Sequence, residues 1–145
     1  MHLMKILGVF ASGAATGAII SAAGLALAQG AVPALDGRQH SQTLGSIDLG
    51  HEFPSMAGYV LTLRTTTVAP GAGHAMHSHK GAPEIVHIVS GVLSDQRNGG
   101  ALSAHGAGDT LINDGAVSNA VVNLGKAPVV YYAATVARPP KASAP

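Results

Sequence analysis

The sequence predicts an all-β domain, a sandwich or barrel of about eight short strands. Three observations carry that expectation. Nineteen Gly and eight Pro in 145 residues supply turn formers well above average usage. The apolar runs beyond Ala28 are short and alternate with the period of two that marks a half-buried strand. None of them keeps the helical period.

The chain opens differently. Lys5 precedes a charge-free stretch over 6–28, rich in Ala and Gly, that ends Ala26-Leu27-Ala28 before Gln29. A short positive region, an apolar region and a small-x-small end are the parts of a secretory signal peptide. Cleavage is expected after Ala28, placing the mature chain in the periplasm or outside the cell, free of the membrane. The competing expectation is an uncleaved anchor. The stretch 6–28 is long enough to span a bilayer, and Gly13-x-x-x-Gly17 has the spacing of a transmembrane dimer face. Residues 29–46 hold Pro33 and Gly37 without a period and read as a flexible arm. The barrel is expected over 47–137, and the Pro/Ala-rich segment 138–145 reads as a disordered tail.

Within the barrel region, 59–68 alternates Leu61 and Leu63 against Thr62 and Arg64, then continues with β-branched residues. Ala69-Pro70-Gly71-Ala72-Gly73 is a turn. In the strand 84–89, Glu84, Val86 and Ile88 share one face, while Ile85, His87 and Val89 take the other. Two further strands flank Arg97-Asn98-Gly99-Gly100, an Asn-Gly hairpin signal. Gly106-Ala107-Gly108-Asp109 turns the chain into 110–112. Residues 120–122, a Gly125/Pro128 turn and 129–136 complete the set, with Val129-Val130-Tyr131-Tyr132 a candidate edge for a homodimer.

Composition removes several function classes. There is no Cys, so no disulfide framework, thiolate metal site or cysteine nucleophile. A net charge of +1 leaves no basic stripe, and 3% aromatics without Trp leave no stacking platform, so nucleic acid is not an expected partner. Gly-x-Ser-x-Gly and phosphate-loop patterns are absent. Eight His are the outlier.

Two of them carry the chemistry. His77 and His79 are two apart, so in a strand their imidazoles project from one face. Glu84 opens the next strand, and a tight bend over Lys80-Gly81-Ala82-Pro83 would return its carboxylate towards them. Two imidazoles and one carboxylate with open positions form a facial triad suited to Fe(II), and also to Mn, Ni, Co or Zn. An inward carboxylate without a metal needs a cationic partner instead. His74 falls off this register and reads as a loop residue, with a place at the site rim or as a substitute ligand as the alternative; His87 should face away, towards sheet packing, as a hydrogen-bonded structural residue; His105 should be exposed.

The segment resembles the first signature motif of the cupin superfamily, G-x5-H-x-H-x4-E-x6-G, at Gly71, His77, His79, Glu84 and Gly91. The second motif, G-x5-P-x-G-x2-H-x3-N, is half present. Gly108 and Asn123 fit, but Asp114, Ala116 and Asn119 stand where the family has Pro, Gly and the third metal-binding His. The resemblance implies a double-stranded β-helix, or jelly-roll, barrel with one divalent metal (Fe, Mn, Ni or Zn) facing its interior. The ligands it implies are His77, His79 and Glu84, with Asn119 or water completing the set, and Glu84 is the candidate catalytic proton acceptor. It also implies a small-molecule substrate and, among possible activities, a quercetin-type dioxygenase. The alternative is a non-enzymatic periplasmic protein that binds a metal or small ligand in the same pocket, which the amide at Asn119 favours.

Overall fold

The computed structural model describes residues 38–139, which leaves the expected signal segment 1–28, the start of the arm and the end of the tail outside the described residues. Among the described residues the fold is all-β, in two antiparallel sheets. The larger sheet runs β1(Gln39–Asp48), β2(Val60–Val68), β9(Val129–Ala137), β4(Glu84–Ser90), β7(Thr110–Asn113) in that spatial order. The smaller runs β3(Gly73–Ser78), β8(Ser118–Val122), β5(Val92–Arg97), β6(Leu102–Gly106). From β2 to β5 the chain changes sheet at every turn, so each turn carries it across the barrel. Between β1 and β2 lie an α-helical turn, α1(Leu49–Glu52), and a 3-10 turn, Pro54–Met56; α1 is capped where Asp48 Oδ1 accepts from Gly50 N at 2.9 Å.

The alternation in β4 sets its inner face. Val86 and Ile88 are buried, while Ile85 and Val89 lie outside at 52% and 44% exposure. Val68, Leu93, Leu111, Val121 and Val129 complete the apolar core between the sheets. Arg97-Asn98-Gly99-Gly100 closes the β5–β6 hairpin with φ of 49° at Asn98 and 73° at Gly99, the paired positive angles of a type I′ turn. Gly91 joins β4 to β5 at φ 82°, where an added Cβ would stand 2.9 Å from the Pro128 carbonyl oxygen.

Several expectations are corrected. The segment 29–46 is not a flexible arm throughout, because β1 begins at Gln39 and pairs with β2 from Gln39↔Val68 to Asp48↔Val60. Its side chains are mostly exposed, so it is held by the backbone ladder and has no apolar alternation to reveal it. Residues 39–46 therefore belong to the larger sheet, ahead of the expected start at 47. The strand 129–137 is not an edge: β9 lies in the middle of the larger sheet, between β2 and β4. Arg138, read as the start of a disordered tail, stacks its guanidinium 4.3 Å from the Tyr59 ring centroid.

Candidate functional site

One end of the space between the sheets is apolar core; the other is a cavity of about 140 Å³ with a polar wall. β3 supplies His74 and His77, β8 supplies Asn119, β4 opens with Glu84, β2 contributes Arg64 and β7 contributes Asn113. Val86, Leu93, Leu111, Val121 and Tyr131 form its apolar floor. Burial pushes the Tyr131 phenol above its usual range, so it stays protonated at neutral pH.

The imidazoles stand in a row. The His74 and His77 centroids are 5.7 Å apart and those of His77 and His79 are 4.8 Å apart. A register shift in the β3–β8 ladder between His74 and His77 brings His74 onto the cavity side. His74 is therefore a strand residue lining the cavity, not a loop residue. Desolvation, then the neighbouring His77, holds its pKa below 6.5, against the opposing pull of Glu84. His77 is exposed at the cavity mouth, with Nδ1 2.9 Å from the Ala75 carbonyl oxygen. A carbonyl only accepts, so Nδ1 carries the proton and Nε2 of neutral His77 keeps its lone pair. His79, just past β3, is 5% exposed, and its Nε2 lies 3.0 Å from Asn119 Oδ1.

Glu84 is already engaged. Oε1 accepts from Thr135 Oγ1 at 3.0 Å and lies 3.6 Å from Arg64 Nη2, while Oε2 accepts from Asn113 Nδ2 at 3.5 Å. The carboxylate thus has its cationic partner within the protein. From Asn113 the polar chain continues. Arg97 Nη2 donates to Asn113 Oδ1 at 2.8 Å, Arg97 pairs with Asp95, and Asp95 Oδ1 accepts from Asn119 Nδ2 at 3.1 Å. Asp95 is 1% exposed and Asn119 2%.

No protein-family model and no curated protein matches the chain. Solved structures do. A predicted oxalate decarboxylase from Thermotoga maritima aligns with a TM-score of 0.55 at 20% identity, over 68% of this chain and 80% of that one. A cupin 2 conserved barrel domain protein from Salinispora arenicola aligns at 0.52 and 23% identity, over 70% and 77%. The cupin domain of Cnp3 from Schizosaccharomyces pombe aligns at 0.57 and 14% identity, over 71% and 67%. The fold is that of the cupin superfamily.

The cupin barrel brings His77, His79 and Asn119 together, and places Glu84 on another wall of the cavity, tied to Arg64. Among the described residues, no group of three or more His, Asp or Glu side chains is gathered closely enough to hold an ion. The amide completes a different set. Donor atoms about 2.1 Å from one ion and at right angles to each other lie about 3.0 Å apart, and two imidazoles so placed have centroids about 4.6 Å apart. The Asn119–His79 separation of 3.0 Å and the His77–His79 centroid separation of 4.8 Å match both figures. His77, with Nδ1–H on a backbone carbonyl, also has the tautomer that metal-bound histidines carry. The two separations at His77, His79 and Asn119 are of the size that neighbouring ligands of one ion would have, while the Glu84 carboxylate is paired with Arg64.

The sequence pattern missed Arg64, Asp95 and Asn113. Arg64 carried a faint signal, since it alternates with Leu63, which is 42% exposed and faces out. His87 faces solvent, not sheet packing, with Nδ1 2.9 Å from Thr110 Oγ1 across the β4–β7 ladder. His105 is not simply exposed; its Nε2 is buried without a hydrogen bond, 4.0 Å from Asp95 Oδ2.

Proposed function

We propose that this chain is an exported cupin-fold protein that binds one divalent metal through His77, His79 and Asn119 and presents it to a small polar molecule in the cavity. The observation that carries this is the coincidence of the 4.8 Å imidazole pair with the 3.0 Å His79–Asn119 contact, His77 and Asn119 lining the cavity and His79 lying behind them. A bound divalent ion supplies Lewis acidity and open positions for a chelating ligand, the chemistry that small-molecule dioxygenases use. The protein's own groups do the rest. Arg64 and Asn113 hold the Glu84 carboxylate in place. Oε1 is held by both Thr135 and Arg64, whereas among the described residues Oε2 has only the 3.5 Å contact to Asn113, so Oε2 is the oxygen available to take a proton from a ligand hydroxyl. The apolar floor at Val86, Leu93 and Leu111 excludes water beneath the ligand.

Elemental analysis of the mature protein and titration of the apo form with Zn, Mn, Ni and Fe(II) test the metal. One ion per chain is expected, lost in the His77→Ala/His79→Ala double variant with the fold intact. An oxygen-uptake screen with chelating phenols and diketones then tests turnover. N-terminal sequencing tests export: a mature start at Gln29 supports it, and a retained Met1 in the membrane fraction supports the anchor.

A second reading, a metal-free binder of small polar ligands, is favoured by the Arg64–Glu84 pair, which neutralises the family's acidic position without a metal. Ligand binding that survives both a chelator and the double His variant would select it.

A further inference from the structure

An amide has two ends of opposite character, and something must decide which end Asn119 turns towards His79. The side chains concerned are buried: His79 5%, Asn119 2% and Asp95 1% exposed. The Asp95 carboxylate, paired with the Arg97 guanidinium, offers only acceptors. It lies 3.1 Å from the Asn119 amide nitrogen, so that nitrogen must face Asp95 and the oxygen must face His79. With an oxygen 3.0 Å away, His79 Nε2 must carry a proton.

We infer that Asp95 is a positioning residue: through Asn119 it sets the hydrogen-bond polarity seen by His79, so that Asn119 turns its oxygen to His79 and the His79 Nε2 lone pair is masked by a proton. β5 and β8 make this geometry. Arg97 lies opposite Asn119 in their ladder, which puts Asp95, two residues earlier, diagonal to it on the same face. Were an ion held at Nε2, that nitrogen would give up its proton to solvent and Nδ1 would take one up, so the number of ring protons would not change. That last step rests on the proposed metal site; the orientation does not.

Nitrogen-15 NMR of the imidazole and amide groups tests it. In the metal-free wild type, His79 should show a protonated Nε2 and a bare Nδ1, and the Asn119 amide protons should show no Overhauser contact to the His79 ring. A bare Nε2, or amide protons against the ring, overturns the inference without any variant. In Asp95→Asn, the new amide can donate to Asn119 Oδ1 and let Asn119 turn round, so the His79 proton should move from Nε2 to Nδ1. A folded variant that retains the wild-type tautomer also overturns it. Zn titration is the separate arm. Asp95→Asn should weaken binding about 10-fold or more, as changes to outer-shell partners do. If the tautomers behave as expected and wild type binds no Zn, the positioning role stands and the metal reading falls.

Discussion

Arg64 and Glu84 lie diagonally across β9, Arg64 pairing with Ala133 and Glu84 with Thr135, and both reach the hydroxyl of Thr135, with Nη2 at 3.3 Å and Oε1 at 3.0 Å. Three adjacent strands thus hold the one acidic residue of the first cupin motif against a guanidinium, on the sheet that faces the imidazoles.

Arg64→Met should release the carboxylate and remove a positive charge from the cavity wall. Repulsion between an arginine and a divalent ion across a partly solvated cavity is on the order of 1 kcal/mol. Divalent metal affinity should therefore rise by roughly 5- to 10-fold by calorimetric titration. Unchanged affinity would place the ion outside this cavity.

Asn119→His restores the imidazole that the second motif lacks. Asp95, 3.1 Å from the Asn119 amide nitrogen, is placed to orient the new ring as it orients the amide. Zn or Ni affinity should rise by about 10-fold or more, since late transition metals prefer imidazole to amide oxygen. No change would mean that position 119 does not address the metal.

Gly91→Ala should destabilise the barrel without touching the site. A side chain there meets both the positive φ of 82° and the Pro128 carbonyl oxygen. The expected cost is about 1–3 kcal/mol, read as a fall in Tm of roughly 4–8 °C per kcal/mol. Gly81→Ala shares the positive φ but meets no neighbour within 4 Å, so it should lose less.

His74 gives stability a pH dependence of definite sign. Its folded pKa lies below 6.5, so below that pH the unfolded chain takes up the proton first. The contribution is complete above about pH 6.5 and is lost as pH falls towards the folded value. Denaturant midpoints measured between pH 8 and pH 5 should fall on acidification, and His74→Gln should flatten that fall. An equal slope in the variant would assign the effect to other groups.

Much of the fold was legible because β4 obeys its alternation and the Asn-Gly hairpin has its required angles. The motif spacing pointed to the strands that carry His77, Glu84 and Asn119, with His79 one residue past the end of β3. What it did not reveal follows from polar side chains inside the barrel. Where a sheet faces a polar cavity, its inner face is itself polar, so Arg64 and Thr66 point inward while Leu63 is exposed. Alternation gives the period but not the side. Asp95 looked like an ordinary strand residue beside a hairpin; its burial depends on β8, which comes more than twenty residues later in the chain. β1 is held by main-chain pairing, which leaves no side-chain signature.

The central place of β9 has a consequence for synthesis. A ribosome delivers β2 and β4 long before residues 129–137, yet neither has its shared neighbour until that last strand emerges. Completing the larger sheet needs partners some seventy residues apart, since Val60 pairs with Ala137 and Val68 with Val129. The nascent chain therefore keeps the open edges of β2 and β4 until β9 is made, and the larger sheet closes only then.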